Sequence, residues 1–376
     1  MNAKPDQTGV AMQTTAAVVR EASGKFQIEK VQLDEPRADE VIVRIAGAGI
    51  CHTDLGARDQ YIPFPLPGVL GHEGAGIVEK VGSAVTKVEP GDHVVMGWIT
   101  CGTCPACKAG QYVFCDLFFP YNLANGSRPD GSPTIHSGAE VLHGHWFAQS
   151  SFAHHALANE RSVVKVREDV PIEKLAPMGC GVMTGAGAVI NSLRAGPGQS
   201  IAVFGCGTVG MSAIMAAAAS GCTTIVAVDM VTSRLEFARE LGATHAVDAG
   251  SGKAVDEVVA ITHGGPEFSL ECVGNPKVFR QAVDVLPRRG VCGLVGAVAP
   301  NTEVTLNMDL MMNGRAVRGI IEGDAIPDLF IPRLLDMYVA GTFPFDKLIT
   351  YFPFDQINHA VEEMESGRAI KPVLRP

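Results

Sequence analysis

The stretch Ser200–Ala213, SIAVFGCGTVGMSA, decides the fold of this chain. It begins with an apolar run typical of a buried strand and ends in the first residues of an alanine-rich helix pattern. Between the two, Gly205, Gly207 and Gly210 have the spacing G-x-G-x-x-G. In such a turn the first glycine permits the tight bend, the second lets a pyrophosphate approach the backbone, and the third lets the helix pack on the strand. The stretch therefore predicts a dinucleotide-binding strand-turn-helix unit.

The nucleotide preference is indicated by Asp229, which ends the next apolar strand, TTIVAVD. A carboxylate at this place accepts hydrogen bonds from the hydroxyls of the adenosine ribose and repels a 2′-phosphate. The sequence therefore favours NAD over NADP. Arg234 follows a few residues later and can attract a phosphate, so some use of NADP stays open.

Strand and helix patterns continue to alternate after this turn. Strand patterns occur in ATHAVDA, PEFSLECVG and GVCGLVGAV, and a helix pattern occurs in SRLEFARELG. This alternation predicts a parallel sheet covered on both faces, which we place at residues 182–324. From about Thr15 to Val95, short β-branched runs separated by turn residues predict an all-β, barrel-like part. The C-terminal residues predict a helix followed by a final strand.

The bulk properties limit the function further. A chain of 376 residues is too long for one ordinary core and predicts two domains. The formal net charge of −10 argues against a nucleic-acid partner, which needs a basic face. The sequence has no apolar run long enough for a membrane span, and its first fifteen residues lack a signal-peptide core and are expected to be a frayed tail. We expect a cytoplasmic protein.

Four of the ten cysteines lie close together in CGTCPACKAGQYVFC, as Cys101, Cys104, Cys107 and Cys115. In a reducing compartment such a cluster indicates a metal site rather than disulfides. Four thiolates on one short loop fill all four positions of a tetrahedral ion, which is typical of a structural zinc site. An iron–sulfur cluster is the alternative, but no second cysteine set and no proline after the last cysteine accompany this one.

Three further residues, Cys51, His72 and Cys180, are individually unremarkable, because a single cysteine is often a small buried hydrophobe. Together with the other motifs they form a pattern. The chain resembles the zinc-dependent medium-chain alcohol dehydrogenases from about Ala17 to Leu374. The resemblance depends on GICHTD, GHEGAG, the cysteine cluster, GCGVMTG, GCGTVG and the aspartate of AVD.

This resemblance implies an α/β fold in two domains. A GroES-like, β-rich catalytic domain would comprise residues 1–181 and 325–376 and include a structural zinc lobe at about 96–118. A Rossmann NAD-binding domain with a doubly wound parallel sheet would comprise residues 182–324.

The resemblance also implies a second zinc site, so that each chain would hold one structural and one catalytic zinc ion. Cys51, His72 and Cys180 correspond to the catalytic ligands, and two cysteines with one histidine is the set that general knowledge of zinc enzymes gives for alcohol dehydrogenase. Glu73 corresponds to a carboxylate that ligates zinc transiently. Asp54 corresponds to a residue that accepts a hydrogen bond from the ligand histidine.

Proton transfer in the family implies a role for Thr53, whose position holds a hydroxyl that bonds the substrate oxygen. The family's terminal base, a histidine three residues further on, is replaced here by Gly56. We hypothesise that His52 contacts the cofactor and that either His52 or solvent takes the proton. Thr184 corresponds to a residue packed against the nicotinamide, and Lys371 to a basic residue facing the pyrophosphate.

Among family members, CHTDLGARDQ and the glycine most resemble aryl-alcohol dehydrogenases. The expected reaction is NAD-dependent oxidation of primary aromatic or allylic alcohols to aldehydes, in which zinc activates the alcohol oxygen and NAD accepts a hydride. Glutathione-dependent formaldehyde oxidation and general primary-alcohol oxidation are the alternatives. A non-catalytic relative would be expected to lose zinc ligands or glycines, and this chain keeps them. We also expect a homodimer or homotetramer, because TEVTLNMDLMMNGRAVRG lies where the family forms a subunit contact.

Overall fold

The computed structural model describes residues 12–376. The chain divides into two compact units, of which one comprises the described residues 12–100, 117–179 and 350–376, and the other residues 101–116 and 180–349. The second unit therefore includes the cysteine loop and residues 325–349, because these residues make most of their contacts with that unit. The domain bounds given above were assigned by role and stay a prediction.

The strands and α-helices of the two units are numbered together along the chain. The strands are β1 (Met12–Val19), β2 (Gln27–Leu33), β3 (Glu40–Gly49), β4 (Gly68–Val69), β5 (Glu73–Val81), β6 (His93–Met96), β7 (Ile135–Ser137), β8 (Glu140–Leu142), β9 (His155–Asn159), β10 (Val163–Lys165), β11 (Ser200–Phe204), β12 (Thr224–Asp229), β13 (His245–Asp248), β14 (Phe268–Glu271), β15 (Val291–Leu294), β16 (Ala316–Gly319), β17 (Ile349–Pro353) and β18 (Lys371–Arg375). The α-helices are α1 (His52–Arg58), α2 (Pro105–Lys108), α3 (Gly181–Gly187), α4 (Thr208–Ala219), α5 (Thr232–Glu240), α6 (Ala254–Ile261), α7 (Pro276–Asp284), α8 (Met308–Met312), α9 (Pro327–Val339) and α10 (Ile357–Glu365).

The first unit is built from two sheets. Their strand orders are β4-β1-β2-β7-β8 and β10-β6-β5-β3-β18-β17, and β9 also pairs with β3. Strand β3 is an interior strand of the second sheet, because β5, β9 and β18 all pair with it, and most of its residues are apolar and buried. The predicted tail is corrected in part: Met12–Thr15 belong to β1, which pairs in register with β2, and residues 1–11 lie outside the described part.

The second unit contains one parallel sheet in the order β13-β12-β11-β14-β15-β16. The predicted doubly wound sheet is confirmed, with β11 at its centre between β12 and β14. Phe204, Val226 and Leu286 lie in its fully buried core with the apolar sides of the covering helices. Because parallel strands end at one edge, the glycine turn after β11 and Asp229 at the end of β12 are brought side by side.

None of the helices within residues 12–376 has both the length and the apolar character needed to cross a bilayer.

Candidate active site and metal centres

The four-cysteine loop forms one compact donor set. The sulfur atoms of Cys101, Cys104, Cys107 and Cys115 all lie within 4.8 Å of one another. Helix α2 begins after Cys104, with Pro105 in its first turn, and carries Cys107 inward. The loop therefore presents four sulfurs to one point, and the predicted cluster is brought together.

Three backbone N–H groups in this loop donate to cysteine sulfurs. The Cys101 sulfur accepts from the backbone N–H of Thr103 at 3.4 Å and of Cys104 at 3.3 Å. These bonds, with that of the Thr103 N–H the largest influence, lower the pKa of Cys101 to about 6. The Cys101 N–H itself donates to the Cys115 sulfur at 3.3 Å. Donors aimed at sulfur favour the thiolate form, which is the form that binds zinc.

The glycine turn of the second unit shows a distinct steric reason for each glycine. Gly205 has a left-handed φ of 95°, and Gly207 has nothing within 4 Å of the place where a side chain would begin. A Cβ on Gly210 would lie 1.8 Å from the Gly205 carbonyl oxygen. The first glycine therefore makes the turn, the second leaves free space above the N-terminus of α4, and the third permits contact between helix and turn.

Asp229 is tied to this turn. Its Oδ2 accepts from the backbone N–H of Cys206 at 2.6 Å, and its Oδ1 accepts from that of Val231 at 2.9 Å. These bonds fix the carboxylate beside the turn, and each oxygen keeps a lone pair for a further donor. The arrangement fits the ribose hydroxyls of NAD.

The second donor set is positioned by the pairing of β3 with β5. Gly49 at the end of β3 lies opposite Glu73 at the start of β5. Cys51, two residues after Gly49, and His72, directly before Glu73, are therefore held at the same end of this strand pair. A Cβ on Gly49 would lie 2.1 Å from the Glu73 Oε2 atom. Glycine is therefore required for this close approach of the two strands.

One ligand atom from each of Cys51, His72, Glu73 and Cys180 lies within 4.8 Å of the others. The segment 117–179 of the first unit ends at Gly179, and Cys180 is the next residue along the chain. The structure thus brings together the four residues predicted for the catalytic zinc site.

Asp54 positions two residues of this donor set through hydrogen bonds. It is fully buried on α1, and its Oδ1 lies 2.7 Å from the His72 Nδ1 while its Oδ2 accepts from the Cys51 N–H at 3.1 Å. Because a carboxylate oxygen accepts, Nδ1 of His72 carries the hydrogen, and Nε2 is the atom that can ligate a metal ion. Burial disfavours the charged imidazole, but Asp54 outweighs it and the pKa of His72 is raised well above its usual value. The predicted contact between Asp54 and His72 is present.

Glu73 and Lys371 form a buried ion pair beside the same site. The Lys371 Nζ lies 2.7 and 2.9 Å from the two carboxylate oxygens and donates to the Ile50 carbonyl at 2.9 Å. Burial raises the pKa of Glu73, and the positive charge of Lys371 acts in the opposite direction. The ammonium of Lys371 is thus placed against Glu73; its predicted contact with the cofactor stays a prediction.

The Thr53 hydroxyl lies 3.7 Å from the Cys51 sulfur, next to the metal-type donor set. His52 is exposed, and its carbonyl accepts from the Tyr61 hydroxyl at 3.3 Å. A Cβ on Gly56 would lie 2.8 Å from the Tyr61 ring. The ring of Tyr61 therefore fills the space next to the glycine, which explains in steric terms why no larger side chain is found there.

Thr184 lies on α3 in the second unit. Its hydroxyl donates to Glu322 Oε2 at 3.2 Å, and the Cys180 sulfur lies 3.9 Å from Glu322 Oε1. The predicted contact of Thr184 with nicotinamide is not tested by this arrangement and stays a prediction. Glu322 was not predicted from the sequence.

Trp146 and Gln149 are two further residues that the sequence did not reveal. The Trp146 Nε1 donates to Asp54 Oδ1 at 2.9 Å, and the Gln149 Nε2 donates to the His72 carbonyl at 2.9 Å. Both side chains are buried. Neither residue type is a usual metal ligand, and nothing in the spacing of the segment links it to His72, so the sequence carried no signal for this role.

Comparisons with known proteins agree with this geometry. Residues 37–168 match the family model described as alcohol dehydrogenase GroES-like domain, and residues 208–338 match that of zinc-binding dehydrogenase. The geraniol dehydrogenase of Castellaniella defragrans is 46% identical over 361 residues, which are 96% of each chain.

Two solved structures share the whole fold. An alcohol dehydrogenase zinc-binding domain protein from Burkholderia ambifaria is 48% identical with a TM-score of 0.95, over 97% of this chain and 99% of that one. The benzyl alcohol dehydrogenase of Acinetobacter calcoaceticus is 42% identical with a TM-score of 0.94, over the same shares. The sequence motifs, the two donor sets, the glycine turn and these relatives together show that the chain belongs to the zinc- and NAD-dependent medium-chain alcohol dehydrogenase family.

Proposed function

We propose that this enzyme oxidises primary aromatic or allylic alcohols to aldehydes with NAD as the hydride acceptor. The observation that carries the proposal is the difference between the two donor sets. One is closed by four sulfurs, whereas the other has two sulfurs, one imidazole and a carboxylate that is already paired with Lys371. The substrate class is supported by the relatives named geraniol dehydrogenase and benzyl alcohol dehydrogenase.

The residues of both sets fit zinc. Cys101, Cys104, Cys107 and Cys115 match a structural site with four sulfur ligands. Cys51, His72 and Cys180 match a catalytic site in which three protein ligands leave a position for substrate, with Glu73 as an occasional fourth ligand. When bound there, zinc supplies a Lewis acid that makes an alcohol proton easier to remove.

The chain's own residues then have separate tasks. Asp54 fixes the orientation of His72, and Thr53 offers a hydroxyl beside Cys51 that takes over the proton of the substrate alcohol. The turn of Gly205, Gly207 and Gly210 binds the pyrophosphate of NAD, while Asp229 binds the ribose. NAD, when bound, accepts the hydride. Thr184 and Lys371 are proposed to contact the nicotinamide and the pyrophosphate respectively.

The proton leaves Thr53 by a route that does not use residue 56, because a glycine offers no base and Tyr61 fills the adjoining space. The exposed His52 or solvent is the proposed acceptor, and His52 is also proposed to contact the cofactor. In a His52→Gln variant we expect weaker NADH binding and a changed pH–rate profile. Finding both properties unchanged would eliminate His52 from the route and leave solvent.

The substrate class is tested by measuring NADH formation with benzyl alcohol, geraniol, ethanol and the formaldehyde–glutathione adduct. We expect kcat/KM to be highest for benzyl alcohol or geraniol. A preference for the glutathione adduct would indicate a formaldehyde dehydrogenase, and similar values for all alcohols would indicate a general primary-alcohol dehydrogenase.

We also propose that the protein forms a homodimer or homotetramer. Strand β16 is the last strand of its sheet, and all four of its residues are exposed. Nearby in sequence, Met308 and Met312 are more than 80% exposed. An exposed edge with apolar neighbours fits pairing with a second copy. Light scattering after gel filtration should give a dimer or tetramer mass, and a strictly monomeric mass would contradict the proposal.

A cytoplasmic location is proposed as well, on the reducing conditions that free thiolate ligands require. The ten cysteines all lie in the described part, and the structure pairs none of them in a disulfide. Fractionation of cells that make the protein should place it with cytoplasmic markers, and recovery with a secreted or periplasmic fraction would refute this.

A further inference from the structure

The Asp54 carboxylate beside the catalytic donor set has a third donor besides His72 and the backbone. Its Oδ1 accepts from the Trp146 Nε1 at 2.9 Å, from the Gly71 N–H at 3.2 Å, and from the His72 ring at 2.7 Å. Trp146 and Asp54 are both 0% exposed. No water can replace the indole N–H at this oxygen without a change in packing, so this bond fixes the direction in which the carboxylate faces His72.

The indole is itself held firmly. It makes edge-to-face contacts with the rings of Phe64 at 5.0 Å and Phe147 at 5.2 Å, measured between centroids. Phe147 stacks in turn on the His72 ring at 4.6 Å with an interplanar angle of 27°. The imidazole is therefore bounded by Asp54 at its Nδ1 edge and by the ring of Phe147, which in turn packs on Trp146.

The backbone of this segment is strained. His145, Phe147, Ala148 and Ser150 all have φ values between 48° and 66°, a left-handed conformation that costs about 1–2 kcal/mol per non-glycine residue. Gln149 secures the segment by donating to the His72 and Gly97 carbonyls and by accepting from the Gly74 N–H. Such strain persists only where the surroundings over-determine the conformation, and here the surroundings are the residues on both sides of His72.

We propose that Trp146 is a positioning residue whose indole N–H holds Asp54 in the orientation that fixes His72, and so sets how firmly the Cys51, His72 and Cys180 site retains zinc. This inference rests on the proposed catalytic zinc site. Interactions of this kind, one step removed from a metal ligand, typically change metal affinity by about 10- to 100-fold.

The chain offers a matched control, because it contains only two tryptophans. Trp98 is also buried, and its ring packs edge-to-face on Phe118. Within residues 12–376 its Nε1 has no hydrogen-bond acceptor. Both Trp146→Phe and Trp98→Phe replace a buried indole by a phenyl ring. Only Trp146→Phe also removes a hydrogen bond to Asp54.

The test measures zinc release from the purified, zinc-loaded enzyme into excess chelator. In Trp146→Phe we expect one of two zinc ions to be released about tenfold faster than in the wild type, with the other unchanged. Trp98→Phe should release both at wild-type rates. After cobalt replaces zinc, the visible absorption bands of the catalytic site should shift in Trp146→Phe and not in Trp98→Phe.

A second variant keeps the test decisive if Trp146→Phe does not fold. Benzothienylalanine at position 146 replaces the indole N–H by sulfur and preserves the shape of the side chain. It should show the same faster release and the same cobalt shift. Release rates and spectra equal to those of the wild type in this variant would overturn the role of Trp146. A wild-type enzyme that holds only the four-cysteine zinc would instead overturn the proposed function, and the inference with it.

Discussion

Replacing Lys371 by methionine is expected to destabilise the first unit strongly. The Lys371 ammonium and the Glu73 carboxylate are 3% and 0% exposed, and their closest atoms are 2.7 Å apart. Removing one partner of a buried ion pair leaves the other charge uncompensated and typically costs about 3–5 kcal/mol. The Ile50 carbonyl also loses its donor, which adds about 1 kcal/mol. Lys371→Met should therefore lower the free energy of unfolding by about 4–6 kcal/mol.

The assay is urea unfolding followed by tryptophan fluorescence, because both tryptophans lie in the first unit. Arg368→Met is the matched control: the Arg368 side chain is 63% exposed in its pair with Glu363, so solvent screens the pair and only a small loss of stability is expected. The double variant Glu73→Gln/Lys371→Met should recover most of the stability, since neither charge remains. Equal unfolding midpoints for Lys371→Met and Arg368→Met, or a double variant no more stable than Lys371→Met, would refute the reasoning. NADH titration of the double variant then shows separately whether Lys371 contacts the cofactor.

Three further predictions follow from local geometry. Gly210→Ala should raise the Kd of NADH about tenfold or more, because the new Cβ would meet the Gly205 carbonyl at 1.8 Å; an unchanged fluorescence titration would contradict this. His145→Asn should lose less stability than the wild type between pH 7 and pH 5. Burial, assisted by the charge of a nearby arginine, lowers the pKa of His145 in the folded protein to about 4. Below about pH 6.5 the unfolded wild-type chain therefore takes up a proton that the folded chain does not, and the free energy of unfolding falls by up to about 1.4 kcal/mol per pH unit. Equal shifts of the urea midpoint in the two proteins would disprove this. Gly56→His should slow NADH formation because Tyr61 occupies the space, and Tyr61→Ala should restore part of the rate; a single variant faster than the wild type would show that the space is free.

The parts of the candidate site whose geometry followed from the sequence alone are those formed within one short stretch. The glycines at 205, 207 and 210 belong to one turn, and the four cysteines to one loop of fifteen residues from 101 to 115. In such stretches the spacing alone fixes the geometry, because strand, turn and loop conformations have few alternatives. The family resemblance added Cys51, His72 and Cys180, which the structure brings together although spacing alone could not pair them.

The parts that the sequence did not predict depend on contacts between distant residues. Trp146 and Asp54 are 92 residues apart, and Lys371 and Glu73 are 298 residues apart. The second pair follows from strand register, because β3 places Gly49 between Glu73 on β5 and Val373 on β18. The first pair joins a helix and a loop segment. Neither sheet register nor the packing of a loop on a helix can be read from a local pattern, so the buried partner of Lys371 and the role of Trp146 became visible only in the structure.

The central claim is that Cys51, His72 and Cys180 hold a second zinc ion that is required for alcohol oxidation. Its most direct test is the zinc content of the wild type and of Cys51→Ser, determined by mass spectrometry on protein whose NADH formation from benzyl alcohol and geraniol is measured in parallel. The claim predicts two zinc ions per chain and activity in the wild type, against one zinc ion and no activity in Cys51→Ser. Equal zinc content in the two proteins, or a wild-type rate in Cys51→Ser, would contradict it.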